Sequence, residues 1–449
     1  MSGEQSMRAW SRRGFLTAAG LTGAALVSGC GDGRFRQTVG VLPDKFHDRE
    51  HLVFWHSFGG ANLEVLNALT DKFNQSQTDI YVENQFQGSY ERTMQKLATA
   101  IVAHQIPDMV VLSEITWRKM HLADTLEPYD DYFDDDLRPD MFIDQFIDEG
   151  TVQGKLWWMP FARSTPLFFF NRTLFQKAGL PAGGPESWEQ LREWAPAIMR
   201  QKTRAGHARV FALTSQYASW YLQSNIWTWG GHYSQDLDVM LDSEQNIAAG
   251  QWMVDFIRKD GAAYLSQKMD QDMGTGVAAA YLGSTGGLKQ ATELAKGGGY
   301  EVGTAFLPQH DGNFGCPTGG SGIGVLRYAP TSRKKAAWEF LKFLARPENS
   351  AHWTVATGYL PVVKAAQREP ELIKATKDPN YMTALRQLPK TKPQDVVRPV
   401  VSNVGDMMDQ ALTKLYSSDA SVRDVFGRLD KQLQSRANLI LDNYRKHYA

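Results

Sequence analysis

The chain has 449 residues, of which 43% are hydrophobic and 22% charged, so it is composed like a soluble globular protein but is longer than one hydrophobic core usually serves. A formal net charge of -1 gives no global field for nucleic acid or for an acidic membrane surface. The two cysteines, Cys30 and Cys316, exclude a disulfide scaffold, and no bridge between them is expected because Cys30 sits where another use is indicated.

Arg12 and Arg13 are adjacent and precede Gly14, Phe15 and Leu16. The apolar run Phe15–Val27 is too short for a bilayer, which takes about 20 apolar residues, and its flanks are those of an export signal; the adjacent arginines resemble the twin-arginine type, with an ordinary Sec signal carrying two positive charges as the alternative. It ends Leu26-Val27-Ser28-Gly29-Cys30, small residues before a thiol, similar to the lipobox of bacterial lipoproteins. Several acyl chains on Cys30 would anchor the protein stably on the outer face of the cytoplasmic membrane. Residues 31–49 have Gly, Pro and mixed charges without a period and read as a tether.

Leu52–Trp55 predicts a first strand. Leu63, Leu66, Leu69 and Phe73 follow at helical spacing, and Ile80, Val82 and Phe86 alternate as a strand does. Met94, Leu97 and Ile101 predict a helix ending before Pro107, and Met109–Leu112 a central parallel strand. This βαβαβ order implies right-handed crossovers and a doubly wound α/β sheet, whose ligand crevice lies beyond the carboxyl ends of the strands. Ser113 and Glu114 stand at such an end. The stretch Trp157–Asn171 reads as the first crossing between two lobes. Residues from Trp188 to Met199, from Ile247 to Phe256 and from Ala336 to Leu344 repeat at helical spacing, the last stopped by Pro347. Gly297-Gly298-Gly299 reads as a turn and as the return crossing. The expected division is 50–160 with 300–346 as the first lobe and 161–299 with 347–449 as the second.

Enzymatic motifs fail on spacing. Gly319–Gly324 is not G-x-S-x-G, because Ile323 takes the last glycine's place, and no Gly-Lys-Ser/Thr follows for a P-loop. Its glycines suit close approach of a backbone to a ligand or a neighbouring strand. The aspartates at 130, 131, 134, 135 and 136 lack the central glycine of a calcium loop and read as a solvated turn. The ten histidines show no metal-binding spacing, so neither a metal nor a cofactor is expected.

From Phe54 to the C-terminus the chain resembles the family 1 extracellular solute-binding proteins of ABC importers. Within them it is most similar to the glycerol-3-phosphate binders, especially the branch that takes glycerophosphodiesters such as glycerophosphocholine. The resemblance rests on Phe54-Trp55-His56-Ser57, Gly88-Ser89-Tyr90-Glu91, Arg163-Ser164-Thr165-Pro166, Cys316-Pro317-Thr318-Gly319-Gly320 and Thr357-Gly358-Tyr359-Leu360-Pro361. It implies a two-lobed α/β periplasmic-binding-protein fold of type II, with hinge strands joining the lobes around a ligand cleft. It also implies a monomer that is not an enzyme and that delivers a small molecule to ABC permease subunits. The implied contacts are Tyr90, Glu114, Ser164, Tyr217, Trp220, Ser284, Gly320, Tyr359 and Arg398. Glu114 would accept glycerol hydroxyls, Arg398 would grip phosphate in a two-pronged pair, and Trp220 would wall the pocket. Tyr217 stands where better-known relatives hold Trp. Each residue also has a structural reading: Tyr90 as a helix start, Glu114 as a partner of Arg118 four residues on, Trp220 as core. The rival functions are binding of a neutral oligosaccharide, and hydrolysis of glycerophosphodiesters, for which no metal cluster or nucleophile is visible.

Overall fold

The structure, a computed structural model, describes residues 34–448. The twin arginines, the leader and Cys30 lie outside the described residues. Ten strands form two five-stranded sheets. They are β1 Glu50–His56, β2 Ile80–Phe86, β3 Met109–Ser113, β4 Met159–Ser164, β5 Pro166–Asn171, β6 Arg209–Thr214, β7 Ala263–Ser266, β8 Ala278–Ser284, β9 Val302–Ala305 and β10 Gly319–Val325. The first sheet has the order β2-β1-β3-β10-β4 and the second β7-β6-β8-β5-β9. In each, three strands run parallel and an antiparallel strand, β10 or β5, is inserted beside them.

The apolar runs become central strands because helices cover both sheet faces. Leu52, Val53 and Phe54 are fully buried, as are Leu167, Phe168 and Phe169 of the second sheet. The Gly60–Ser76 helix buries Leu66, Leu69 and Phe73, and Phe73 meets Phe340 edge-on at 5.1 Å between centroids. Helices Tyr90–Val102, Trp188–Met199, Glu244–Arg258 and Thr331–Ala345 stand where the apolar spacing places them. Ser89, Ser187 and Ser243 cap the first three by accepting a backbone N–H of the first turn.

The crossings depart from the expected boundaries. All of β4 belongs to the first sheet, so the chain changes lobes at Thr165 and not at residue 160. Strand β9 pairs with β5, which places residues 302–305 in the second lobe and the return crossing between Ala305 and Gly319. The triple glycine ends a helix instead: Leu288–Gly298 stops at Gly299, whose φ of 80° suits glycine. A third crossing lies between the Pro347–Thr357 helix and the Pro379–Gln387 helix, which packs on β9 with the Thr304 amide donating to Asn380 Oδ1 (2.8 Å). Downstream, Lys392 runs beside the return crossing, accepting from the Thr318 amide (2.8 Å) and donating to the Cys316 carbonyl (3.0 Å). Residue 347 is no boundary either, since the Pro347–Thr357 helix packs on the Gly60–Ser76 helix and its Trp353 meets Phe58 at 5.2 Å.

The segment expected as a tether is docked along its described part. Arg36–Gln37 pairs in parallel with Gln105–Ile106, Phe35 stacks on Tyr328 at 3.9 Å, and Phe46 stacks on Tyr81 at 4.7 Å. Two aromatic rings with partners in the first lobe outweigh the flexible composition around them.

Candidate ligand cleft

The cleft opens where β1 and β3 end, as parallel sheets require. Glu114 follows β3 directly, and its amide donates to the Gly320 carbonyl at 3.1 Å. Gly320 has φ 89°, and a Cβ there would lie 2.1 Å from the Ala162 carbonyl oxygen, so the neighbouring strand leaves room only for glycine. The Glu114 carboxylate accepts from Gln394 Nε2 at 2.8 Å. Burial pushes it up to about 7, against the pull of Arg163 and Arg398. Arg118, four residues on, lies over the Trp117 and Tyr448 rings and forms no pair with Glu114. Ser164 closes β4, buried and opposite Gly319. Beside it Arg163 is tied to Glu149 at 2.5 Å and lies 4.6 Å over the Trp158 ring.

Aromatic residues line the other walls. Tyr90 opens its helix and donates to Ser321 Oγ at 3.2 Å, with the Tyr359 phenol nearby. Burial raises both phenols, Tyr359 to about 12. The Tyr359 ring rests on Gly286, where a Cβ would meet it at 2.6 Å. Ser284 ends β8 opposite Pro166 and accepts the Gly286 amide. Trp220 donates to the Thr318 carbonyl at 2.9 Å and covers Gly319, so it is at once packed and at the crossing. Tyr217, with φ 55° and 38% exposure, lines a cavity of about 310 Å³ between the lobes. Ser89 and Glu91 of the first lobe and Asp406 and Asp409 of the second line it as well. A separate apolar cavity of about 20 Å³, bounded by Phe211, Met253 and Tyr416, is internal to the second lobe and carries no charge.

Arg398 sits in the short Val397–Val400 helix and is 1% exposed. Its Nη1 donates to Gln394 Oε1 and its Nη2 to Ser219 Oγ at 3.1 Å, while its Nε has no partner. Ser219 passes the contact on to Asp409 Oδ1 at 2.7 Å. Gln394 thus stands between a carboxylate and a guanidinium, holding them in one chain without pairing them. A buried guanidinium bonded only to neutral groups is set to receive an anion.

The family model for bacterial extracellular solute-binding proteins matches residues 68–383. This chain belongs to that family. Among curated relatives, the sn-glycerol-3-phosphate-binding periplasmic protein UgpB of Pectobacterium atrosepticum is 27% identical over 334 residues, covering 70% of this chain and 73% of the relative. The crystal structure of UgpB from Mycobacterium tuberculosis in complex with glycerophosphocholine superposes with a TM-score of 0.81 at 28% identity, over 87% of this chain and 99% of that one. Maltose-bound MalE3 of T. maritima shares the fold, with a TM-score of 0.74 at 22% identity over 86% and 99% of the two chains.

Of the nine sequence-derived positions, Tyr217 lines the cavity between the lobes, and several of the others are neighbours near the lobe crossings. Tyr90 and Tyr359 lie close together, Glu114 and Gly320 share a backbone bond, and Glu114 and Arg398 share Gln394. Gln394, Ser219, Asp409 and Ser321 belong to the same network and escaped the sequence reading. Lone polar residues on helices and loops carry no spacing signal, and only their convergence in space reveals them.

Proposed function

We propose that this protein captures a glycerol phosphate compound, a glycerophosphodiester such as glycerophosphocholine or sn-glycerol-3-phosphate itself, and presents it to the membrane subunits of an ABC importer. The observation that carries this reading is Arg398, buried at the lobe crossing with no carboxylate partner among the described residues. The likeness to glycerol phosphate binders supports it. Tyr90, Glu114, Ser164, Ser284, Gly320 and Tyr359 then hold the glycerol end, with Trp220 and Tyr217 as walls. Closure of the lobes excludes water and strengthens the attraction between Arg398 and phosphate. The chain acts outside the cytoplasm, held by lipid on Cys30, which is read as a mass increment on the processed chain that Cys30→Ala abolishes.

Calorimetry with sn-glycerol-3-phosphate, glycerophosphocholine and maltose tests the reading. Arg398→Ala leaves a desolvated anion unpaired, which costs about 2–5 kcal/mol, or roughly thirtyfold to several-thousandfold in affinity. Arg398→Lys recovers part of this, since an ammonium lacks the planar fork. Tight maltose binding by the wild type, with phosphate esters ignored, overturns the proposal in favour of an oligosaccharide.

A further inference from the structure

The arm that leads into the first lobe is fastened to it almost from Cys30 onward. The Arg36 amide donates to the His104 carbonyl and the Thr38 amide to the Ile106 carbonyl, both at 2.8 Å. Between them Gln37 Nε2 donates to the His51 carbonyl at 2.8 Å and to Asp108 Oδ2 at 2.5 Å. The Phe35 ring stacks on Tyr328 at 3.9 Å and on His104 at 4.6 Å. Cys30 stands five positions before Phe35. An extended chain covers at most about 3.6 Å per residue, so the leash between the two reaches no farther than about 18 Å. A lipid on Cys30 therefore brings this face of the lobe to the bilayer.

The surface around the arm is basic, although the whole chain has a net charge of -1. Arg327 and Tyr328 both donate to the Asp124 carbonyl, at 3.2 and 3.4 Å, and His447 meets the Asp124 carboxylate at 3.3 Å. Those bonds and the Phe35 stack bring together Arg36, His104, Arg327, Arg445 and Lys446, all exposed and drawn from distant parts of the chain. Their acidic neighbours are Asp124, which His447 meets, and Asp442, a turn before Lys446. Basic residues in the last turn of a helix complement its dipole, which accounts for Arg445 and Lys446. Arg36 and Arg327 lie outside any helix and have no such reason. Val102, 83% exposed, ends the helix two residues before His104. An apolar side chain among cations suits the boundary between lipid headgroups and acyl chains.

This rim lies at the end of the first sheet remote from the cleft. Gln105–Ile106 runs into β3, whose Met109 pairs with Val325, just before Arg327 and Tyr328. Ser113 and Glu114 stand at the other end of that five-residue strand, about 15 Å away at 3.3 Å per residue. We propose that the basic rim is a docking surface for an anionic bilayer. The rim and the short leash together stand the first lobe on the membrane and hold the cleft and the second lobe away from it, open to solute. This rests on the reading of Cys30 as lipid-bearing. Each cation near an anionic leaflet adds to the attraction, and salt screens it within about a Debye length.

The test uses the chain from Cys30 onward, joined through that thiol to a maleimide-headgroup phospholipid in mixed phosphatidylcholine–phosphatidylglycerol vesicles. Cys316 is buried and does not compete. A membrane-impermeant amine reagent then labels exposed lysines. Lys446 on the rim should react about fivefold more slowly than in the uncoupled protein, while Lys202 on the second lobe reacts at an unchanged rate. Phe35→Ala with Gln37→Ala releases the arm and lengthens the leash, so the protection of Lys446 should vanish. Arg36→Gln with Arg327→Gln and Arg445→Gln keeps the leash and removes charge, so the protection should weaken and no longer depend on phosphatidylglycerol. Lys446 labelled alike with and without coupling, or Lys202 protected as much as Lys446, overturns the docking surface and leaves lipid on Cys30 untouched. Mass spectrometry of the processed cellular protein reads the anchor separately. A chain without lipid there overturns the anchor, and protection of Lys446 in the coupled protein would still uphold the rim as a bilayer contact.

Discussion

Glu114, proposed above as a ligand contact, carries a stability cost. Its carboxyl sits at about 7, raised from an ordinary 4.5 mainly by burial. Between those two values the folded protein holds a proton that the unfolded chain has released. Stability contributed by this group therefore falls as pH rises from about 4.5, and the full cost is present above 7. Glu114→Gln cannot ionise, yet its amide oxygen can still accept from Gln394. The variant should be about 2 kcal/mol more stable than wild type at pH 8, after discounting for partial exposure, and no more stable at pH 4. Denaturant melts at the two pH values read this, and equal stability at pH 8 would rule it out. The same substitution should weaken ligand binding, because a carboxylate accepts two glycerol hydroxyls better than an amide does. Evolution of a binding cleft at the expense of stability is the arrangement this pairing describes.

At the scale of elements, β10 explains both what the sequence disclosed and what it withheld. Its glycines read as a place of close approach, and they are: a Cβ at Gly322 would lie 2.3 Å from the Met159 carbonyl oxygen, and one at Gly320 2.1 Å from that of Ala162. Gly320→Ala must also adopt φ 89°, so it should destabilise the protein by about 2–3 kcal/mol and shift Glu114, whose amide bonds to residue 320. Thermal melting together with ligand calorimetry checks this, and a variant that melts and binds like wild type would refute it. Strands β1 and β3 and the long amphipathic helices were legible because their apolar periodicity is a local signal. Strand β9 was not, because it has four residues, two of them Gly and Thr, and its partner β5 lies more than a hundred positions earlier. The docking of Phe35 and Phe46 was hidden for the same reason, since their ring partners Tyr328 and Tyr81 are invisible to any local pattern. The short motifs at Tyr90, Ser164, Gly320 and Tyr359 pointed to residues that the fold gathers near the lobe crossings. The residues between those motifs, Gln394 and Ser219 above all, had to be found in space.

At the scale of the whole molecule, the lobes are joined by three chain crossings and by one long helix. Val422–Tyr448 has 27 residues, about 40 Å at 1.5 Å each. It begins on the second lobe, where Arg423 pairs with Glu244 at 2.8 Å, Asp430 accepts the Leu241 amide and Gln434 accepts the Val239 amide. It ends on the first lobe, where Asn443 Nδ2 donates to the Leu122 carbonyl, His447 meets Asp124 and the Tyr448 hydroxyl lies 3.0 Å from His121 Nδ1. Arg118 covers the Tyr448 ring at 5.4 Å. The helix is therefore a strap between lobes, fastened at its end to the segment His121–Asp124. A hinge needs its crossings to bend, but a strap limits how far they bend in the empty protein. Tyr448→Ala removes the aromatic end of the fastening and should cost only about 1–2 kcal/mol of stability, because the rest of the helix stays docked on the second lobe. Its larger effect should be on shape. The free variant should scatter with a larger radius of gyration than the free wild type, and saturating sn-glycerol-3-phosphate should bring both to one compact value. If the two free proteins scatter alike, the strap does not restrain the lobes, and the crossings at Thr165, between Ala305 and Gly319, and before Pro379 set the opening by themselves.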